Sequence, residues 1–123
     1  MKTILKTLLL ILSISLVSCK KEEMDKRPRP ISTLEVTEIT STSAICGGEM
    51  DVYTIMGYRG ICWSTNPNPT ENDSRAYDTT YGEASFSCIM TNLTPNTKYY
   101  VRAFHTTYIT NYGEQMEFTT LAE

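Results

Sequence analysis

Apolar side chains alternate with polar ones in short runs from Ile31 to the end of the chain, and no stretch of this region repeats its apolar positions with a helical period. Alternation places successive side chains on opposite faces of a strand, so each run predicts a short β-strand with one buried face. Glycine, proline and asparagine separate the runs, as turns require. The pattern therefore predicts an all-β domain over 31–123.

Parity within the runs predicts which side chains face the core. Charged residues mark the outer face of a run, and the apolar residues of the other parity then lie inside. Ile39 falls out of phase with Val36, which predicts a bulge in the first strand, while Ile45 and Phe104 are assigned to the outside. The predicted core residues are Ala44, Cys46, Gly48, Met50, Ile61, Trp63, Phe86, Cys88, Met90, Tyr99, Val101, Ala103, Met116 and Phe118.

The first thirty residues differ in character from the rest. Lys2 and Lys6 precede a mostly apolar run over 7–18, and small residues precede Cys19. This pattern is typical of a secretory signal peptide. A membrane-spanning helix needs about 20 apolar residues, and the run over 7–18 has only twelve residues. We therefore expect a signal helix over 1–18, a polar segment over 19–30 and one folded domain over 31–123.

The residues Leu16-Val17-Ser18-Cys19 resemble the lipobox of bacterial lipoproteins. The resemblance implies that Cys19 is acylated, for example with palmitate, and that 20–30 is a solvated tether, because that segment has too few apolar residues to fold. A signal peptide without lipidation is the alternative. Lys21-Glu22-Glu23 resembles an export signal of some Gram-negative lipoproteins, but it is equally explained as mixed charge in a tether. The expected location is the cell envelope, anchored to the outer membrane, and the sequence leaves open whether the domain is exposed at the cell surface.

Leu93, Pro95 and Tyr99 have the spacing of a tyrosine corner, in which a tyrosine at the start of a strand bonds to upstream backbone. The three stretches 60–70, 93–103 and 112–120 together resemble the fibronectin type III-like repeats of bacterial surface lipoproteins and secreted proteins. The resemblance implies a seven-stranded immunoglobulin-like β-sandwich, with the first, second and fifth strands in one sheet and the third, sixth and seventh in the other. It implies no particular activity, because this fold has many functions.

Two predicted loops depart from that family by carrying large apolar side chains. If the topology holds, the loops over 51–56 and 107–112 lie at one pole of the sandwich, joined by the turn over 78–83. Tyrosine in loops is a common contact residue, so this pole is a candidate site for a protein or glycan ligand. The alternative is that the side chains fold back and cap the core. The residues of the pole are Tyr53, Ile55, Met56, Tyr81, Tyr108, Ile109 and Tyr112.

Three cysteines remain once Cys19 is lipidated, so at most one disulfide can form. Cys46 and Cys88 are predicted to face inward on neighbouring strands. A bridge between them is plausible in an oxidising envelope, and two buried thiols would also pack acceptably. Cys62 is predicted to face away from the core and to stay reduced.

Composition and charge exclude several functions. The region 31–123 carries four basic and eleven acidic side chains, a net charge of −7, which disfavours nucleic acid as a partner. No cysteine pair has zinc spacing and His105 is the single histidine, so we expect no metal and no cofactor. Glu71 and Asp73 lie in a polar loop, where solvation or cation binding is commoner than catalysis.

An enzyme is also disfavoured, because the chain has no Gly-x-Ser-x-Gly elbow and no phosphate-binding glycine loop. The sequence therefore predicts a lipid-anchored envelope protein whose single domain is a non-catalytic module for protein or glycan binding, or for adhesion. The alternative is a structural spacer or an accessory subunit of a larger outer-membrane complex.

Overall fold

The computed structural model describes residues 31–50, 57–80 and 82–123, and all regular structure within them is β-strand. The predicted signal helix and tether lie outside these residues. None of the described residues belongs to a helix that could cross a membrane. The strands are β1 Ser32–Thr33, β2 Ala44–Glu49, β3 Tyr58–Ser64, β4 Ser74–Tyr77, β5 Ser85–Met90, β6 Lys98–Thr106, β7 Thr110–Tyr112 and β8 Met116–Thr119.

The strands form two antiparallel sheets that face each other. One sheet has the order β1-β2-β5, and the other has the order β4-β3-β6-β7, with β8 pairing the first half of β6. The division of strands between the sheets is the one that the sequence resemblance implied. The all-β sandwich of immunoglobulin-like architecture is therefore confirmed.

The last edge of the five-stranded sheet is made by two short strands, so the predicted loop over 107–112 is confirmed for 107–109 and was wrong for 110–112. Thr110 pairs with Thr106 in β7, the Gly113 amide still donates to the Ala103 carbonyl at 2.9 Å, and pairing then breaks until Met116 in β8. A Cβ on Gly113 would lie 2.5 Å from Oγ1 of Thr33, so only glycine lets the chain pass this close to β1. The close passage interrupts what would otherwise be one strand.

The core lies between the inner faces of the two sheets. Except for Met116, the residues assigned to the core by parity are buried there, as is Ile31; Met116 packs at its margin. Tyr99 stacks on Phe118 with 5.7 Å between the ring centroids. Gly48 is required because its Cβ would lie 2.8 Å from the ring of Phe86. Each large apolar side chain buried in this way contributes about 1.5–3 kcal/mol.

Two positions that broke the predicted pattern now have a physical reason. Phe104 does lie on the outer face of β6, but it is fully buried, because Tyr58 and Tyr77 of the neighbouring strands cover it. Ile39 packs at the edge of the core together with Val36. Glu38, one of the two residues between them, has a φ of 49°, which shifts the phase of the alternation.

The predicted tyrosine corner is present and helps to close one end of the sandwich. The Thr94 amide donates to the hydroxyl of Tyr99 at 2.9 Å. Beside it, Oγ1 of Thr120 donates to the Thr94 carbonyl at 2.6 Å and accepts from the Thr97 amide at 2.9 Å. We call the end that contains these residues the corner end.

Candidate functional site

The opposite end, which we call the loop end, is formed where β2 stops, β3 starts, β6 turns into β7 and β4 connects to β5. Tyr58 is the register partner of Thr106. The Asp78 amide donates to the Arg59 carbonyl at 2.9 Å, and the Met50 amide donates to the Ala84 carbonyl at 2.9 Å. The ends of the predicted loops therefore converge at one end of the sandwich.

The predicted pole residues fall into three groups. Tyr53, Ile55, Met56 and Tyr81 lie outside the described residues. Tyr108 and Ile109 form the turn between β6 and β7, where they are 102% and 68% exposed. We call 107–109 the hairpin tip. Neither Tyr108 nor Ile109 folds back over the core, so for these two residues the capping alternative does not hold.

Tyr112 lies apart from the hairpin tip, on the outer face of the five-stranded sheet. Its hydroxyl accepts a hydrogen bond from the Glu71 amide at 3.1 Å. The guanidinium carbon of Arg102 lies 3.9 Å from the centre of its ring. The side chain is half-buried, and its contacts hold a loop in place. Among the described pole residues, the structure therefore brings together Tyr108 and Ile109 and separates Tyr112 from them.

Three aromatic rings on the same outer face form a cluster that parity analysis did not single out. Tyr58, Tyr77 and Phe104 contact one another edge to face, with centroids 5.5 to 6.4 Å apart. Tyr58 and Tyr77 are each 47% exposed. We call this cluster the aromatic surface. The signal that could have revealed it is the outward parity shared by Phe104 and Tyr58, once β3 and β6 are known to pair.

The carboxylate of Glu71 borders the aromatic surface and accepts three hydrogen bonds. They come from Oγ1 of Thr110 at 2.9 Å, Oγ1 of Thr106 at 3.2 Å and the hydroxyl of Tyr58 at 3.3 Å. The Glu71 carbonyl accepts from a guanidinium nitrogen of Arg75 at 2.6 Å. Glu71 therefore fastens its loop to the sheet. Among the described residues, no group of three or more potential metal ligands is present.

A partly buried ion pair lies inside the loop end. Nε of Arg59 donates to a carboxylate oxygen of Asp78 at 2.9 Å, and its guanidinium carbon lies 4.6 Å above the ring of Phe86. The side chain of Asp78 is 3% exposed. Burial would raise the pKa of Asp78, but hydrogen bonds from Thr80 and Arg59 outweigh it and hold the pKa below its usual value. This pair fixes the start of the turn over 78–83.

The cysteines that sequence analysis paired are directly opposed in the β2–β5 register. Cys46 is the register partner of Cys88, and both are buried as free thiols. Burial raises the pKa of each thiol to about 11. Cys62 points to the other side of the five-stranded sheet, where the loop carbonyl of Pro69 covers it and burial raises its pKa to about 12. The disulfide stays a prediction.

The outer face of the three-stranded sheet has a different surface. A shallow groove of about 520 Å³ is lined by small residues such as Gly47 and Ser87 and also by the carboxylate-bearing Glu35 and Glu83. Ile45, whose outward position the sequence did not explain, lines this groove together with Leu34. The groove holds no cluster of aromatic side chains comparable with the aromatic surface.

No protein-family model and no curated protein matches the sequence. Among solved structures, the chain is similar to the sensor domain of the anti-sigma factor RsgI4 from Pseudobacteroides cellulosolvens. The identity is 21% and the TM-score is 0.57, covering 80% of this chain and 99% of that domain. A computer-redesigned β-sandwich protein matches with 21% identity and a TM-score of 0.55 over 78% and 98% of the two chains.

The fibronectin type III domain of human contactin 1 is a further structural neighbour. It matches with 19% identity and a TM-score of 0.54, over 75% of this chain and 78% of that domain. At this level of identity the likeness shows the fold and no more. The described domain has a fibronectin type III-like fold.

Proposed function

We propose that this chain is a lipid-anchored envelope protein whose fibronectin type III-like domain is a non-catalytic binding module for a protein or glycan ligand. The observation that carries the proposal is the grouping of exposed apolar side chains at the loop end. Six large apolar or aromatic side chains among the described residues are strongly exposed. Four of them lie at the loop end: Tyr58, Tyr77, Tyr108 and Ile109.

The aromatic surface has the chemistry of a contact site. The rings of Tyr58 and Tyr77 are held in place by Phe104 beneath them, so a ligand that covers them costs little side-chain entropy. Hydroxyl groups and the carboxylate of Glu71 border the rings. Exposed ring faces beside hydrogen-bonding groups suit a sugar ring or a protein surface of mixed polarity.

Two further observations support a binding role over catalysis. The neighbour from P. cellulosolvens is described as a sensor domain, and a sensor domain has to recognise something. The thiols of Cys46, Cys62 and Cys88 have raised pKa values, which makes them poor nucleophiles at neutral pH. The aromatic surface provides contact area for such a ligand.

The lipid anchor is supported by the sequence around Cys19, and labelling tests it directly. Cells that express the full chain are fed an alkyne-bearing fatty acid, and the purified protein is assayed for the label. Cys19→Ser should abolish labelling and leave the chain unprocessed, whereas Cys62→Ala should keep it. Labelling that survives in Cys19→Ser would overturn the anchor.

The ligand surface is tested with matched variants on opposite sides of the sandwich. The wild-type chain is titrated against a panel of immobilised envelope polysaccharides and outer-membrane proteins. Tyr58→Ser and Tyr77→Ser should each weaken binding at least about tenfold. Ile89→Ser is the control, because Ile89 is 56% exposed on the other sheet. Equal loss in all three variants, or none in the tyrosine variants, would contradict the proposal.

A further inference from the structure

The chain enters the sandwich at the loop end. Ser32 is the register partner of Glu49, the last residue of β2, and the chain then runs antiparallel to β2 toward Thr37, opposite Ile45. Ile31 is fully buried. The segment that joins the domain to Cys19 therefore leaves the sandwich at the end that carries the hairpin tip.

The distance between Cys19 and the domain is short. Eleven residues separate Cys19 from Ile31, so the link spans about 40 Å when fully extended and about 20 Å as a flexible coil. The sandwich is about 30 Å long, as judged from the nine residues of β6. The extended link is longer than the sandwich, so a lipid anchor at Cys19 does not fix the orientation by itself; a link of about 20 Å favours the loop end nearest the membrane and the corner end farthest from it.

The hairpin tip has the composition of a membrane-contacting segment. Tyr108 and Ile109 are strongly exposed at its apex, and 107–112 contains no charged residue. Tyrosine is enriched where proteins meet the headgroup region, because its ring is apolar and its hydroxyl stays hydrated. A two-residue contact is weak on its own, but tethering raises its effective concentration to about the millimolar range.

We propose that Tyr108 and Ile109 contact the lipid bilayer and orient the domain with its loop end toward the membrane. This inference rests on the lipid anchor of the proposed function and adds an orientation to it. The aromatic surface then lies on the side of the sandwich, next to the membrane, and the corner end points away. The net charge of −7 over 31–123 favours zwitterionic over anionic lipid.

The test measures the depth of an indole at each end of the domain. The full chain is expressed in a bacterium that processes lipoproteins, purified with its acyl groups and reconstituted in phosphatidylcholine vesicles. Tyr108→Trp and Leu121→Trp are compared, because Leu121 is also exposed, at 56%, but lies at the corner end. Emission of the unsubstituted protein corrects for Trp63, which is in the core.

Brominated phosphatidylcholine should quench the added emission of Tyr108→Trp by about twofold or more, with a shift to shorter wavelength, and should leave Leu121→Trp unchanged. Ile109→Ser in the Tyr108→Trp background should reduce the quenching. No quenching at 108, or equal quenching at both positions, would overturn the orientation. If the emission of Tyr108→Trp shifts only when envelope proteins are added, and not with lipid alone, the contact is with a protein and the orientation is overturned as well.

Flotation of the same vesicles separates this inference from the anchor on which it rests. If the protein floats with the vesicles but position 108 is not quenched, the anchor is supported and the orientation is overturned. If the protein does not float, both the anchor and the orientation are overturned.

Discussion

The two ends of the sandwich differ in whether their groups bond to the protein itself or are exposed to solvent. At the corner end, backbone groups and short side chains bond to one another, as in the pairs Thr94–Tyr99, Asn96–Leu121 and Thr40–Leu121. At the loop end, the turn between β6 and β7 leaves Tyr108 and Ile109 in solvent. An end whose bonds are internal stabilises the fold, whereas an end with exposed side chains can contact a partner.

The largest expected effect separates the two ends by stability. Tyr99→Ala should lower the free energy of unfolding by about 3–5 kcal/mol, because it removes the stack on Phe118 and leaves the Thr94 amide without its acceptor. Tyr108→Ala should change it by less than about 0.5 kcal/mol. Urea unfolding followed by Trp63 fluorescence measures both. Similar losses in the two variants would remove the distinction between the ends.

The ion pair inside the loop end should have the next largest effect. Asp78→Asn should cost about 2–3 kcal/mol, because Arg59 loses a buried partner charge. Glu117→Gln is the control, since Glu117 pairs with Lys98 at 3.1 Å on an exposed surface, where such pairs contribute at most about 1 kcal/mol. A loss in Asp78→Asn no larger than in the control would show that the turn over 78–83 does not depend on this pair.

The same pair predicts a pH dependence. The pKa of Asp78 is lowered in the folded state, so its contribution is complete above the unfolded value, about 3.9. It is lost as the pH falls through the folded value. The wild-type protein should therefore lose more stability than Asp78→Asn between neutral pH and pH of about 3. An equal loss of stability in the two proteins over this pH range would contradict a lowered pKa for Asp78 in the folded state.

A smaller effect is expected for the loop fastened by Glu71. Glu71→Ala should cost about 1–2 kcal/mol, because the hydroxyls of Thr106, Thr110 and Tyr58 lose a shared acceptor. Glu35→Ala, at an exposed position, should be nearly neutral. Amide hydrogen exchange should rise over the loop 65–73 in the first variant and not in the second. Unchanged exchange there would show that other contacts hold the loop.

The smallest effect concerns chemical reactivity rather than stability. Cys46 and Cys88 should react with a thiol reagent at pH of about 8 about two orders of magnitude more slowly than an exposed cysteine, because little thiolate forms at their raised pKa. Counting thiols in the Cys19→Ser chain should give three after unfolding without reductant. A count of one would show that Cys46 and Cys88 are bridged.

Much of the fold could be predicted because alternation and turn residues are local signals. The core faces of β2, β5 and β6 followed from parity alone, and the position of Tyr99 followed from its spacing to Leu93 and Pro95. The burial of Phe104 could not be predicted in this way. It depends on Tyr58 and Tyr77, which are distant in sequence and come together only when β3 pairs with β4 and β6.

The candidate site was predicted less completely for the same reason. Apolar residues in a polar loop indicate exposure, which identified Tyr108 and Ile109. Tyr112 has the same composition signal, but its register opposite Phe104 turns it onto the sheet face, where Glu71 and Arg102 hold it. Composition does not distinguish an exposed tyrosine from one that fastens a neighbouring loop.

The sequence by itself determined the strand pattern, the inward faces and the tyrosine corner, because each depends on spacing between near neighbours in the chain. Only the tertiary structure decided which rings form the aromatic surface, where Glu71 finds its donors and at which end Ile31 enters. These features depend on contacts between residues far apart in sequence, and strand register sets such contacts. The end at which the chain enters is what links the proposed anchor to the orientation of the domain.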